Sequence, residues 1–181
     1  MSDGPVVPLV AGERLYLRGL SSDDVGEAYH RWLNDPEVTR YTESRFVPHS
    51  VGRLREYVAR FAGDRDHLFL AIVLRKDDRH IGNIKLGPIN WIHRTGDVGI
   101  IIGEKECWGR GYASEAIGLL TGYAFGALNL RRVTAGCYAT NVGSVRAFLK
   151  AGFQQEGMRR RQYWSENAYV DEILLGRERG D

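Results

Sequence analysis

Cysteine is almost absent. Cys107 and Cys137 are the only two in 181 residues, and neither they nor the five histidines stand at metal-ligand spacing. No metal site is expected, and the two cysteines read as free thiols of a reducing, cytoplasmic compartment. No apolar run approaches the roughly 18 residues that span a bilayer, and the first residues lack the charged-then-apolar pattern of a secretion signal. Neither a membrane partner nor export is expected. An excess of one charge is missing too: 25 Lys and Arg against 23 Asp and Glu leave +2, with no concentrated basic stripe. That balance argues against nucleic acid as a partner and suits a small anionic ligand. Repeats, low-complexity tracts and linkers are also lacking. One domain is therefore expected over residues 1–181, with its core over about 14–176 and a flexible start over 1–12.

What the chain does have is apolar content of 43% with 10% aromatics, ample for a core. "RLYLR" (residues 14–18) alternates at period two, as a half-buried strand does. "SSDDVGEAYHRWL" opens with a capping signature, Ser21 and Asp24, and Asn34, Asp35 and Pro36 end it. A second helix is expected over residues 49–61, where Val51, Leu54, Val58 and Phe61 share a face. Strand patterns at 67–74, 80–89 and 97–103, separated by turn residues, predict an antiparallel meander. Ala113, Ala116, Ile117, Leu120 and Ala124 then make residues 112–126 an amphipathic helix. Gly118, Gly122 and Gly126 interrupt it, which calls for close backbone approach to the sheet or for a dimer contact. A strand at 131–139 follows, then a helix with Asn141 as N-cap and Gly152 just past its end. Two strands, 153–162 and 168–176, close the chain around a turn at Ser165, Glu166 and Asn167.

"CWGRGYASEAI" (residues 107–117) connects a strand end to a helix start, where free N–H groups and the helix dipole favour an anion. Gly109 and Gly111 remove the Cβ atoms that would hold a diphosphate off the main chain, and Arg110 adds a cation. A tight turn with no ligand is the other reading of the same letters. A Walker-type loop is excluded, because no Gly-x-x-x-x-Gly-Lys-Ser/Thr string occurs. The dinucleotide fingerprint fails as well: the next strand ends "GCYA", without the acid that would bind a ribose.

"WGRGYASEA", followed about 30 residues on by "NVGSVRAFLKAGF", in this strand order, resembles the GNAT superfamily of N-acetyltransferases. The likeness is greatest to the branch that contains the ribosomal-protein-alanine acetyltransferases. The resemblance implies a mixed α/β fold whose sheet of six or seven strands is antiparallel and then parallel, flanked by about four helices. It implies acetyl-CoA as donor, with no metal. Trp108, Gly109, Arg110, Gly111, Tyr112, Ala113 and Ser114 would cradle its pyrophosphate. Ile100, Ile101 and Ile102 would pair with the pantetheine arm, and Asn141 would hydrogen-bond it. Two positions depart from the family pattern: Trp108 stands where Arg or Gln is usual, and Phe148 stands where many relatives carry the tyrosine that protonates the leaving thiolate.

Ser144 is the substitute donor, since Asn141, Ser144 and Phe148 share one side of their helix against the arm. Its other reading is a hydroxyl satisfying the helix's first turn. Asp97 and Glu104, at either end of the strand beneath the thioester, are the candidate bases, or else solvated charges. A main-chain N–H near Ile100, Ile101 and Ile102 would hold the oxyanion. The acceptor is expected to be a primary amine. Trp91 and Arg94, with Arg159, Arg160, Arg161 and Trp164, suit a nucleotide-borne amino sugar, while the branch resemblance suggests a protein N-terminus. A catalytically silent CoA-binding module is the reading from another class, and a homodimer is the oligomer that the helix glycines would serve.

Overall fold

Alternation decides which side of a sheet each residue joins. In "LFLAIVL", Leu68, Leu70, Ile72 and Leu74 enter one apolar layer and Phe69 enters another. The structure, a computed structural model, describes residues 7–180. Its elements run β1 (Val10–Ala11), β2 (Leu15–Gly19), α1 (Glu27–Asn34), α2 (Pro36–Thr39), α3 (Val51–Ala59), β3 (Leu68–Leu74), β4 (His80–Leu86), β5 (Thr95–Ile102), α4 (Tyr112–Gly126), β6 (Arg132–Tyr138), α5 (Val142–Lys150), β7 (Gln154–Ser165) and β8 (Ala168–Glu178). The strands form one sheet of order β1-β2-β3-β4-β5-β6-β8-β7, antiparallel throughout except between β5 and β6. α4 and α5 bury Ala116, Ile117, Leu120, Ala147 and Phe148 against one face. α1, α2 and α3 bury Tyr29, Trp32, Val38, Leu54 and Val58 in the layer on the other.

The mixed α/β fold is as expected, with eight strands instead of six or seven and five helices instead of about four. The added strand is β1, whose two residues pair with Leu17 and Tyr16. It lies inside the stretch expected to be a flexible start, and two residues are too few to display alternation. Residues 1–6 of that stretch lie outside the described residues. The added helix is α2. Asp35 ends α1, as expected, but its carboxylate also accepts from Glu37 N at 2.9 Å and caps the next turn, with Pro36 at the first helical position.

The three glycines of α4 are not close-approach positions. A methyl group on Gly118, Gly122 or Gly126 would meet nothing within 4 Å. Gly122→Ala should therefore raise stability by about 1 kcal/mol, through helix propensity and a less flexible unfolded chain. A urea midpoint that stays put or falls would mean that this helix face is covered in solution.

One break in the sheet organises everything else. β5 and β6 are joined only at Thr95, Gly96 and Asp97, opposite Arg132, Val133 and Thr134. Beyond that point β5 stays with β4 as far as Ile102, and β6 stays with β8 as far as Tyr138. The two strands therefore part into a fork. It opens at their carboxyl ends, where α4 and α5 begin, the usual position of a ligand crevice beside parallel strands.

Candidate active site

The hydrogen-bond ladder tells which groups of β5 face the fork. Gly87 N donates to Asp97 O at 2.8 Å, and Gly103 N donates to Ile81 O at 2.8 Å. By antiparallel alternation, Gly99 and Ile101 also turn their backbone groups to β4, while Val98, Ile100 and Ile102 turn theirs into the fork. Trp108 Nε1 donates to Ile102 O at 2.8 Å, so the indole covers one of these groups. Ile100 is left with both its N–H and C=O facing the gap, and Ile102 with its N–H. Ile101, expected to pair with a pantetheine arm, does not: its backbone belongs to the β4 ladder and its side chain to the α1–α3 layer.

At the mouth of the fork, Gly109 and Gly111 take the left-handed conformation, with φ of 70° and 80°. Gly111 is the N-cap of α4 and brings no capping side chain. Among the described residues, the N–H groups of Tyr112, Ala113 and Ser114 have no protein acceptor, and the positive end of a 15-residue helix lies there. α5 differs, because Asn141 Oδ1 accepts from Ser144 N at 3.2 Å. That bond leaves the Asn141 amide N–H groups as its ligand donors. The loop is braced by Arg14, a residue the sequence reading passed over. Its Nε donates to Glu115 Oε2 at 2.7 Å, its Nη1 donates to Arg110 O at 2.9 Å, and its guanidinium lies 4.8 Å from the centre of the Tyr112 ring. The pairing neutralises a carboxylate in the first turn of α4, beside the uncapped N–H groups. It crosses 101 residues, so no local pattern signals it.

Ser144 Oγ lies 3.3 Å from Cys137 Sγ, between α5 and β6. Burial pushes the Cys137 thiol up to about 11, so the sulfur stays neutral. Phe148 is not available to a ligand: only 2% exposed, it packs edge-on against Phe153 with ring centres 5.0 Å apart. Its expected place against the donor is corrected to the core between α5 and the sheet.

The opposite face of the fork carries carboxylates. Asp97 Oδ2 accepts from Thr134 Oγ1 at 2.9 Å, across the last rung before the strands part. Asp97 is exposed to solvent, yet the protein around it partly desolvates its carboxyl, and this, with the charge of Glu172 adding, holds it above the usual range. Glu104 does not share this floor. Its Oε1 accepts from Arg31 Nη2 at 2.7 Å and from Trp32 Nε1 at 2.8 Å, which ties the end of β5 to α1. The candidate base at that position is corrected to an anchor, and Asp97 remains. Glu172, which the sequence did not single out, is 5% exposed and accepts from Tyr163 OH at 2.6 Å and Arg159 Nη1 at 2.9 Å. Burial and this bond push the Tyr163 phenol up, so it remains a donor. The Trp and Arg stretches expected to share one acceptor do not meet. Arg94 O accepts from Arg131 N just before β6 begins, whereas Trp164 lies near the end of β7, by the far end of β6. β6 has seven residues, so the two sets are about 20 Å apart along the sheet.

The profile of the acetyltransferase (GNAT) domain matches residues 14–154. A probable N-acetyltransferase of Bacillus subtilis (strain 168), YjcK, is 35% identical over 174 residues, 92% of this chain and 95% of its own length. An uncharacterized N-acetyltransferase of the same organism, YoaA, is 32% identical over 163 residues, 88% and 90% of the two chains. Among solved structures, a spermidine N-acetyltransferase from Vibrio cholerae in complex with CoA and spermine superposes with a TM-score of 0.82 at 25% identity, over 92% of this chain and 96% of that one.

Proposed function

The chain belongs to the acetyltransferase (GNAT) family, and from that premise we propose that this N-acetyltransferase moves the acetyl group of acetyl-CoA to a small, positively charged primary amine. The observation that carries the reading is the half-open edge of β5 beside the uncapped start of α4. The residues present fit the donor: unbonded N–H groups and left-handed glycines suit a pyrophosphate, and the free N–H and C=O of Ile100 suit an amide arm.

Transfer needs a neutral amine. An alkylammonium costs about 4 kcal/mol to deprotonate at pH 7, and Asp97 at the base of the fork takes that proton, directly or through water. The amine nitrogen then bonds to the thioester carbonyl carbon. A backbone N–H of β5 holds the oxyanion, the carbon–sulfur bond breaks with its electron pair going to sulfur, the attacking nitrogen gives up its second proton to water, and the hydroxyl of Ser144 hydrogen-bonds to the departing thiolate. A small cationic acceptor is supported by the carboxylates on the acceptor face and by the likeness to a spermidine acetyltransferase. The resemblance to the ribosomal-protein-alanine branch makes a protein N-terminus the rival.

A CoA-release screen of spermidine, simple alkyl amines, amino acids, amino-sugar nucleotides and short peptides tests this. Spermidine or an alkyl amine should turn over best. Turnover of peptides alone would sink the small-amine reading, and steady release with any acceptor removes the silent CoA-binding module. Ser144→Ala should lower kcat by about tenfold and leave the KM for acetyl-CoA near its wild-type value. Equal kcat, measured where chemistry limits the rate, would reduce Ser144 to a helix residue paired with Cys137.

A further inference from the structure

The two arms of the fork carry glycine at matching positions on one face. Gly99 follows Asp97 by two residues on β5, and Gly136 follows Thr134 by two on β6, so all four point to the same side of the sheet. That side is opposite to α4, α5 and Ser144. Both glycines are exposed. Neither has a positive φ that would demand glycine. Glycine within a strand weakens it, and often marks a place where a ligand comes close to the backbone. A methyl group on Gly99 would meet nothing within 4 Å, whereas one on Gly136 would collide with Glu172 Oε1. Gly136 is therefore the seat over which the Glu172 carboxylate lies, with Tyr163 fixing one oxygen. The Tyr163 ring is held in turn by stacking on Tyr138 at 4.0 Å. Arg159 reaches the other oxygen from outside, with its side chain 60% exposed.

We propose that Gly99 and Gly136 form the port through which the acceptor's amino group reaches the thioester, and that Glu172 is a positioning residue that holds the acceptor's ammonium at this port. This rests on the acetyl-transfer reading and adds the acceptor's route and class. Open backbone at Gly99, with Gly136 leaving room for the Glu172 carboxylate, lets the incoming nitrogen reach the gap from the side opposite to α5, the side that Asp97 also faces. An ammonium takes the place of the Arg159 guanidinium beside Glu172. The class selected is an amine without a nearby anionic group, because a carboxylate or diphosphate next to the amino group would face both Asp97 and Glu172.

The test compares wild type with Gly99→Val, Glu172→Gln and Glu172→Asp, using spermidine as probe. Valine suits a strand and meets open space at position 99, so the variant should fold. Gly99→Val should keep its calorimetric Kd for acetyl-CoA within about twofold and lose about tenfold or more in kcat/KM for spermidine. Glu172→Gln should raise the KM for spermidine about tenfold with a smaller change in kcat, and Glu172→Asp should recover part of that loss. Calorimetry of spermidine against the CoA-loaded proteins should show the same order of affinities. Wild-type kcat/KM in both Gly99→Val and Glu172→Gln overturns the proposal, as does a loss of acetyl-CoA affinity in Gly99→Val that matches its loss of turnover. Wild-type turnover confined to zwitterionic or anionic acceptors overturns the class while leaving acetyl transfer standing. Failure of wild type to turn over or bind any amine overturns both readings.

Discussion

Asp97→Asn should lower kcat about a hundredfold with a saturating amine, the ordinary worth of a well-placed general base. The amide keeps an oxygen to accept from Thr134, so the rung that closes the fork survives. Stability should not suffer either. The folded pKa of Asp97 lies above its unfolded value, so its proton-linked stabilisation is complete below pH 3.8 and is lost as pH rises through the folded pKa. At neutral pH the wild-type protein already carries this loss, and the uncharged asparagine removes it. The same shift predicts the rate profile: kcat/KM should fall on the acid side at a pH above the usual aspartate range, and Asp97→Asn should abolish that limb. A variant that keeps wild-type kcat and an unchanged acid limb would take the base away from Asp97.

Gly111→Val should weaken acetyl-CoA binding at least tenfold, about 1.4 kcal/mol, because a branched side chain enters the space beside the unbonded N–H groups of α4. Two costs are combined in this variant and are measured separately. Position 111 has φ of 80°, where a residue with a Cβ is strained by about 1–2 kcal/mol; thermal melting without ligand reads that. Calorimetry on the folded fraction reads the loss of affinity. Arg110→Ala should act more weakly, since its exposed charge is screened by salt. Unchanged affinity in folded Gly111→Val would leave the loop as a turn.

The proposed donor half of the candidate site was legible in the sequence because its residues fall in short contiguous motifs. α4 occupies the residues its periodicity predicts, residues 112–126, and Gly109, Gly111 and Asn141 stand at the ends of elements that announce themselves by spacing. The proposed acceptor half is assembled by register: Gly99 and Gly136 fall on one side of the sheet, and Glu172 lies over Gly136, only because β6 runs parallel to β5 and antiparallel to β8. No window of the sequence contains them together. Composition misled where it replaced register: the Trp and Arg residues around 91–94 and 159–164 look alike in letters and lie at opposite ends of the sheet. Ile101 and Phe148 were misplaced for a related reason. A strand has two edges and a helix several faces, and a motif does not say which of them meets the ligand.

The short seam between β5 and β6 has a thermodynamic consequence. Three residue pairs join one half of the sheet to the other, and the rest of the boundary is open. On the proposed reading, a donor arm lying along Ile100 would act as a missing strand and add hydrogen bonds across that boundary. Ligation and folding are then linked: at a free donor concentration of about 100 times Kd, the native state gains about 2.7 kcal/mol. Most of that gain should be felt by the amides that line the gap. Hydrogen exchange should slow on binding at Val98, Ile100 and along β6, while β2 and β3, already paired on both sides, change little. The fork would thus let the donor add hydrogen-bonded coupling between two halves of the sheet that already share one apolar core beneath α4 and α5.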